Sequence, residues 1–315
     1  MRLFRSYLHL PDTARGAVMV LGNFDGLHRG HQALIARGRS LADELGVPLG
    51  VLTFEPHPRS VFHPDGRPFR LTPFRIKERQ LEALGLDLLV VAHFDDDFRR
   101  HSAEWFIQEV LIDGVELRHA VAGDDFRFGC ARTGDVALLE GWGRRAGFGV
   151  TILGPVTDPS GLAFSSTRVR DALIGGRPRE AAHVLGRPWE IEGRVEQGDR
   201  LGRTLGFPTA NLGLGDYLRP AFGVYAVRAG VDGGHQMHWH HGVANLGHRP
   251  TVGGVVERLE VHLFDFAEDL YGRHLRVQLI EFLRPEQRFA GLEALKAQIA
   301  HDAAAARRVL DESVP

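Results

Sequence analysis

Apolar and polar positions keep two different rhythms along this chain. Up to about residue 185, short apolar runs alternate with longer segments whose apolar positions recur every three or four residues. The runs at 17–21, 48–54, 86–93, 119–123 and 149–153 read as strands. The segments 31–45, 73–84, 103–112, 134–146 and 167–174 read as helices, the first with Leu34, Ile35, Leu41 and Leu45 on one face. Thr72 followed by Pro73 reads as a helix start, a cap and then a proline at the first helical position. Nearly continuous apolar strands, each followed by a helix, predict an α/β domain with a parallel sheet covered on both faces. Such sheets bind ligands beyond the carboxyl ends of their strands.

Beyond residue 186 the rhythm shortens. Gly175-Gly176-Arg177-Pro178 ends one helix, 178–185 reads as another, and Gly186-Arg187-Pro188 breaks it. Alternating segments follow at 190–195, 223–229, 238–245, 258–264 and 275–283, separated by Gly-containing turns. They predict an antiparallel sheet or small barrel. An amphipathic helix over 285–310 closes the chain, with Phe289, Leu292, Leu295 and Ile299 on one face. The expected division is 1–184 and 185–315, in keeping with about 100–200 residues per domain.

Composition narrows the function classes. A net charge of −2 argues against a protein drawn to nucleic acid by bulk electrostatics. A single cysteine excludes a disulfide framework and suits a reducing cytoplasm. No apolar run approaches the ~20 residues of a membrane span, and the N-terminus leads into no signal-like stretch. Only Lys77 and Lys296 among the 38 basic residues are lysines, and no Gly-rich loop ends in Lys-Ser or Lys-Thr, so a P-loop is excluded. Phosphate must be held by Arg, His, backbone N–H or metal.

Three motifs fall on the expected rim of the parallel sheet. Gly22-Asn23-Phe24-Asp25-Gly26-Leu27-His28-Arg29-Gly30-His31 bridges the first strand and its helix. A helix start offers unpaired N–H groups and roughly +0.5 charge of dipole, a place for an anion. His28 and His31 there are open to phosphate, structural and metal readings; their i, i+3 spacing lacks the His-Glu-x-x-His pattern and an obvious third ligand. Gly123-Asp124-Asp125-Phe126-Arg127-Phe128-Gly129 is either a loop shaped for a ligand or a pair of ordinary Asp caps. Ser165-Ser166-Thr167-Arg168-Val169-Arg170 is a second phosphate-type helix start or a plain Ser/Thr cap with a solvated basic face. Thr53-Phe54-Glu55-Pro56-His57-Pro58 reads equally as a pocket wall or a loop stop.

The second half holds Gly202-Arg203-Thr204-Leu205-Gly206-Phe207-Pro208-Thr209-Ala210-Asn211. Thr209 and Asn211, two apart in an extended segment, point the same way and suit one object, such as Mg²⁺ with nucleotide phosphates. Glu260 and His262 alternate with Leu259, Val261 and Leu263 and so face away from the core; most such carboxylates are merely exposed. The histidines at 235, 238, 240 and 241 have no partner ligands in register.

Together these motifs resemble the bacterial bifunctional riboflavin kinase/FAD synthetase family over about residues 15 to 305. The resemblance implies a Rossmann-like nucleotidyltransferase domain followed by a six-stranded antiparallel β-barrel flavokinase domain with a C-terminal helix. It implies phosphorylation of riboflavin by ATP to FMN in the second domain, with Glu260 as general base, Thr209 and Asn211 on Mg–ATP, and Gly202 and Gly206 shaping the phosphate loop. It implies adenylylation of FMN by a second ATP to FAD and pyrophosphate in the first. There His28 and His31 serve adenylyl transfer, and Gly22, Phe24, Asp25, Gly30, Ser166, Thr167 and Arg170 the nucleotide. Phe54, Pro56, Pro58, Asp125 and Phe126 match positions near the flavin, and Asn245 lies in a further matching run. The implied partners are ATP, riboflavin and FMN, without nucleic acid or membrane, for a cytoplasmic monomer or weak homo-oligomer. Two other readings remain: a non-catalytic flavin- or nucleotide-binding regulator on the same fold, and an adenylyltransferase for another phosphorylated vitamin such as phosphopantetheine, which the kinase motifs oppose.

Overall fold

A computed structural model describes residues 1–197, 206–232, 236–251 and 254–312. The chain divides into two compact units, Met1–Arg67 with Thr72–Ser166, and Pro68–Leu71 with Thr167–Pro315.

The first unit is built on six parallel strands: β1 (Arg2–Phe4), β2 (Val18–Leu21), β3 (Leu49–Glu55), β4 (Leu88–His93), β5 (His119–Gly123) and β6 (Gly149–Leu153), in the order β1-β4-β3-β2-β5-β6. Both faces are covered, and alternate residues of each strand serve different cores. Met19 and Leu21 join Phe54, Val90, Phe106 and Leu139 on one face. Val18 and Val20 join Val51, Ile35, Leu41 and Leu81 on the other. The helices are α1 (Arg29–Leu45), α2 (Pro58–Phe62), α3 (Phe74–Ala83), α4 (Ala103–Trp105, continued as a π-helix over Phe106–Ile112) and α5 (Val136–Ala146). The strand order reverses beside β2, so a ligand crevice is expected at the carboxyl ends of β2 and its neighbours β3 and β5.

Two expectations are corrected here. Thr72 does not cap α3: Pro73 is the cap residue and makes no side-chain cap bond. Thr72 is turned to the Asp25 loop instead, where its backbone N–H donates to Asp25 Oδ1 at 3.0 Å and its Oγ1 accepts from Gly26 N–H at 2.9 Å. The strand at the very N-terminus, β1, was not expected, because three residues carry no periodicity.

The second unit takes in most of α6 (Ser166–Ile174), α7 (Pro178–Leu185), and an antiparallel sheet of β7 (Trp189–Arg194), β8 (Ala210–Gly213), β9 (Gly223–Asp232), β10 (Met237–Thr251), β11 (Gly254–Leu263) and β12 (His274–Pro285). Its order is β7-β12-β9-β10-β11-β8, and a bridge between Glu196 and Asn211 brings the two ends together as a barrel. Ile191, Val227, Leu246, Leu259 and Leu279 fill the interior. The strap Pro68–Leu71 belongs to this unit: Trp189 Nε1–H donates to the Leu71 carbonyl at 2.9 Å.

The last helix, α8, runs Leu292–Glu312 rather than from residue 285: β12 continues to Pro285 and residues 286–291 form an irregular connection, which leaves Phe289 outside the helix. It lays Ala306 and Leu310 on Val224, Ala226 and Val243 of the outer barrel face. Asp302, 5 % exposed, pins it there: both its carboxylate oxygens accept from Arg284 of β12, at 2.7–3.0 Å, and Gln298 donates to Oδ1 at 2.8 Å. Removing one partner strands the other charge. Asp302→Ala is expected to lower stability by roughly 3 kcal/mol, read as a shift in the denaturant midpoint.

Candidate active sites

The loop after β2 is tightly folded. Phe24 and Leu27 hold left-handed backbone angles, φ 51° and 47°, which cost a non-glycine residue about 1–3 kcal/mol each. Both side chains are buried, Phe24 completely. The surrounding structure holds this strain in place. Asp25, 2 % exposed, accepts from Thr72, and its backbone carbonyl accepts from Ser166 Oγ at 2.7 Å. The hydroxyl that opens α6 is thereby tied to the loop that opens α1.

His28 caps α1, its Nδ1 accepting a long bond, 3.4 Å, from His31 N–H. With Nδ1 accepting, the His28 ring carries a proton on Nε2. The two imidazoles stack with 3.7 Å between centroids, and Phe24 packs against His31 at 5.1 Å. Gly30 makes room for this: a Cβ there would lie 3.0 Å from His28 Nδ1 and 3.2 Å from the Phe164 carbonyl. The first-turn amides of Arg29 and Gly30 have no intrahelical acceptor. His31 Nδ1 is buried without a hydrogen-bond partner among the described residues. Burial, then the neighbouring His28 and Lys77, hold the His31 pKa well below 6.5, so the ring is neutral.

The other motifs of this rim follow adjacent strands. Phe54 of β3 joins an aromatic cluster with Phe94, Phe98 and Phe106 at 6.0–6.1 Å. Phe106 reaches Phe128 at 5.2 Å, and Phe128 stacks on Phe126 at 5.4 Å, so Phe54 and Phe126 line one aromatic wall. Pro56 follows a cis peptide bond and Pro58 opens α2. Asp125 is exposed. Gly22 passes close under the Phe24 ring. Thr167 and Arg170 fall in the second unit, where Arg170 Nε–H donates to the Phe69 carbonyl at 3.1 Å.

In the barrel, register does what sequence spacing could only suggest. Asn245 pairs with Glu260, and Glu260 with Asn211. Directly opposed residues share a face with Cβ atoms about 5 Å apart, so an amide, a carboxylate and an amide stand in a row across β10, β11 and β8. Asn211 is 5 % exposed. Thr209 and Asn211 line a cavity of about 430 Å³ with Pro208, Leu263, Asp269 and Tyr271. His262, next along the Glu260 face, is 2.9 Å through Nδ1 from the Pro208 carbonyl and so steadies the Thr209 segment. Gly206 holds φ +85° just before that segment, and Gly202 lies outside the described residues. Among the described residues no group of three or more His, Cys, Asp or Glu is arranged to hold a metal, and no helix is long and apolar enough to cross a membrane.

A parallel-sheet unit with a histidine-lined helix start and a barrel with a carboxylate row define a two-domain transferase. The FAD synthetase family model matches residues 10–168 and the riboflavin kinase model residues 185–310. The chain belongs to the bifunctional riboflavin kinase/FMN adenylyltransferase family. It is 43% identical to the Escherichia coli K12 enzyme of that name over all of both chains. It is 47% identical to that of Pseudomonas fluorescens, over 98% of this chain and 97% of the other. A solved Streptococcus pneumoniae structure described as a macrolide-efflux protein shares the fold at TM-score 0.84, 31% identity and 97% and 98% coverage.

The missed residues are Thr72, the rings of Phe94, Phe98 and Phe106, and Lys77. Alternation along β3 was the available signal for the last, since it places Thr53 and Glu55 on one face. The neutral His31 has a measurable consequence. Below pH 6.5 the unfolded chain takes up a proton that folded His31 refuses. Stability is fully present above that pH and falls as pH drops toward the folded pKa, by at most ~1.4 kcal/mol per pH unit from this residue. His119, also lowered by burial, adds in the same direction. Denaturant midpoints from pH 8 to 5 should fall, and His31→Gln should flatten the decline.

Proposed function

We propose that the two activities divide between the halves at residues 184/185. The stacked imidazole pair serves adenylyl transfer, and the Asn245–Glu260–Asn211 row serves riboflavin phosphorylation. The observation that supports this division is the contrast in charge. Two stacked imidazoles, His28 buried and His31 half-buried and held neutral, suit holding a phosphate. A half-buried carboxylate between two amides suits taking a proton from a hydroxyl.

In the first domain the FMN phosphate attacks the α-phosphorus of ATP. A new P–O bond forms, the α–β bridging bond breaks, and pyrophosphate leaves. The FMN phosphate ionises with a second pKa of about 6, so no base is needed and the protein's work is alignment and charge stabilisation. His28 Nε2–H and the first-turn amides meet the phosphates, with His31 stacked on His28, and Thr167 and Arg170 serve the nucleotide. Gly22, Phe24, Asp25, Gly30 and Ser166 shape the loop that holds them. Phe54, Pro56, Pro58, Asp125 and Phe126 border the flavin.

In the second domain Glu260 accepts the proton of the ribityl 5′-hydroxyl as that oxygen attacks the γ-phosphorus and ADP leaves. Thr209 and Asn211 offer the hard oxygen ligands that Mg²⁺ accepts alongside water and phosphate, and both line the same cavity. Bound there with ATP, Mg²⁺ would neutralise phosphate charge. Gly202 and Gly206 shape the phosphate loop, and Asn245 orients the flavin substrate. The protein works in the cytoplasm on ATP, riboflavin and FMN, as a monomer or weak homo-oligomer, without nucleic acid or membrane.

Chromatography of products from riboflavin, ATP and Mg²⁺ should show FMN and then FAD. Flavin binding without turnover would instead support a regulator. Glu260→Gln should slow FMN formation by ~10²–10⁴-fold while FAD synthesis from supplied FMN persists. His31→Ala should do the reverse, lowering adenylylation by ~10²-fold. Equal loss of both activities in either variant contradicts the division.

A further inference from the structure

Lys77 is completely buried in the first unit, carried by α3 between Ile76 and Leu81. Its ammonium lies 2.9 Å from Glu55 Oε1 and 3.4 Å from Thr53 Oγ1. Thr53, itself fully buried, is 3.3 Å through Oγ1 from the Asn23 carbonyl. One cation therefore grips two loops. Through Glu55 it holds the chain as it enters Pro56-His57-Pro58. Through Thr53 it reaches the strained loop that ends in His28 and His31.

A buried ion pair is a poor way to gain stability, since apolar residues of like volume usually serve as well or better. Its advantage is direction, because charge-assisted bonds fix geometry that methyl groups leave loose. The two loops it joins are those assigned above to ATP and to the flavin. Adenylyl transfer depends on the separation and alignment of those two substrates, and a misplacement of about 1 Å can cost ~10²-fold in rate.

We propose that Lys77, with Glu55, is a positioning residue for adenylyl transfer, setting the nucleotide loop and the flavin loop at the separation the reaction needs. This rests on the assignment of those loops above. The Lys77 charge has a second effect, adding to burial and to His28 in keeping His31 neutral. Around His31 the titratable groups are therefore His28 before α1 and Lys77 of α3, with Glu55 of β3 paired to Lys77.

The test uses the full chain and two variants. Lys77→Met/Glu55→Leu removes both charges while keeping apolar volume, so that neither charge is stranded. Lys77→Arg keeps the cation. In the double variant kcat for FMN adenylylation should fall ~10–10²-fold, with KM for ATP and FMN within about twofold and riboflavin phosphorylation unchanged. The acid limb of its adenylylation profile should move to higher pH, because His31 then protonates more readily. Lys77→Arg should recover most of kcat. A double variant that folds and turns over at the parent rate overturns the proposal. So does a loss shared between kcat and both KM values with the acid limb unmoved, which marks a purely structural pair. His31→Ala, run alongside, separates this from the site assignment. If it leaves adenylylation intact, the loop assignment itself fails; if it abolishes transfer while the Lys77 variant does not, only the positioning role fails.

Discussion

The His28 ring lies flat on that of His31, 3.7 Å between centroids, in space that exists because Gly30 has no side chain. The rest of the first site is arranged around that contact. His28 caps α1 at the end of the loop in which Phe24 and Leu27 hold left-handed angles. Such a loop would relax if left to itself. Asp25 with Thr72, and Ser166 with the Asp25 carbonyl, hold it from two sides. The result is a helix N-terminus held in one shape by the loops around it.

The two units meet their chemistry with opposite electrostatics. In the parallel sheet the attacking group is already an anion, and a basic side chain would add nothing; burial accordingly keeps His31 neutral. In the barrel the attacking group is a hydroxyl, and Glu260 is the carboxylate proposed to take its proton. Glu260 stands on the outer face, in the same cross-strand row that carries Asn245, Val224 and Arg284. Arg284 anchors α8 through Asp302, so the helix that covers Val224 and Val243 is fixed relative to the Glu260 row. One face thus carries both the apolar seat of α8 and the polar Glu260 row, since the alternate residues fill the barrel interior.

Long periodic elements were legible without coordinates. The five apolar strands and the helix of the His28 motif lie within a residue or two of their expected places, since burial on both faces demands continuous apolar runs. Short elements were not. Strands β1 and β8 and helix α2 have three to five residues each, too few for any period, and β8 is held by pairing to β11 rather than by its own pattern. The start of α8 was placed too early because Phe289 fits the helical period of Leu292, Leu295 and Ile299, although residues 286–291 are an irregular connection.

The motifs themselves were legible in the sequence: histidines at a strand-to-helix turn, hydroxyl and amide two residues apart, a carboxylate on an alternating strand. Those are local relations, and local geometry follows from φ/ψ preference and side-chain period. What only the tertiary structure decided are relations between distant residues. Asn245 and Asn211 flank Glu260 through register, Thr72 serves Asp25 rather than α3, and Lys77 is an interior cation joined to Glu55 and Thr53. Each pairing depends on how strands align and which helix covers them, set by the packing of the whole core, and no window of neighbouring residues contains that information.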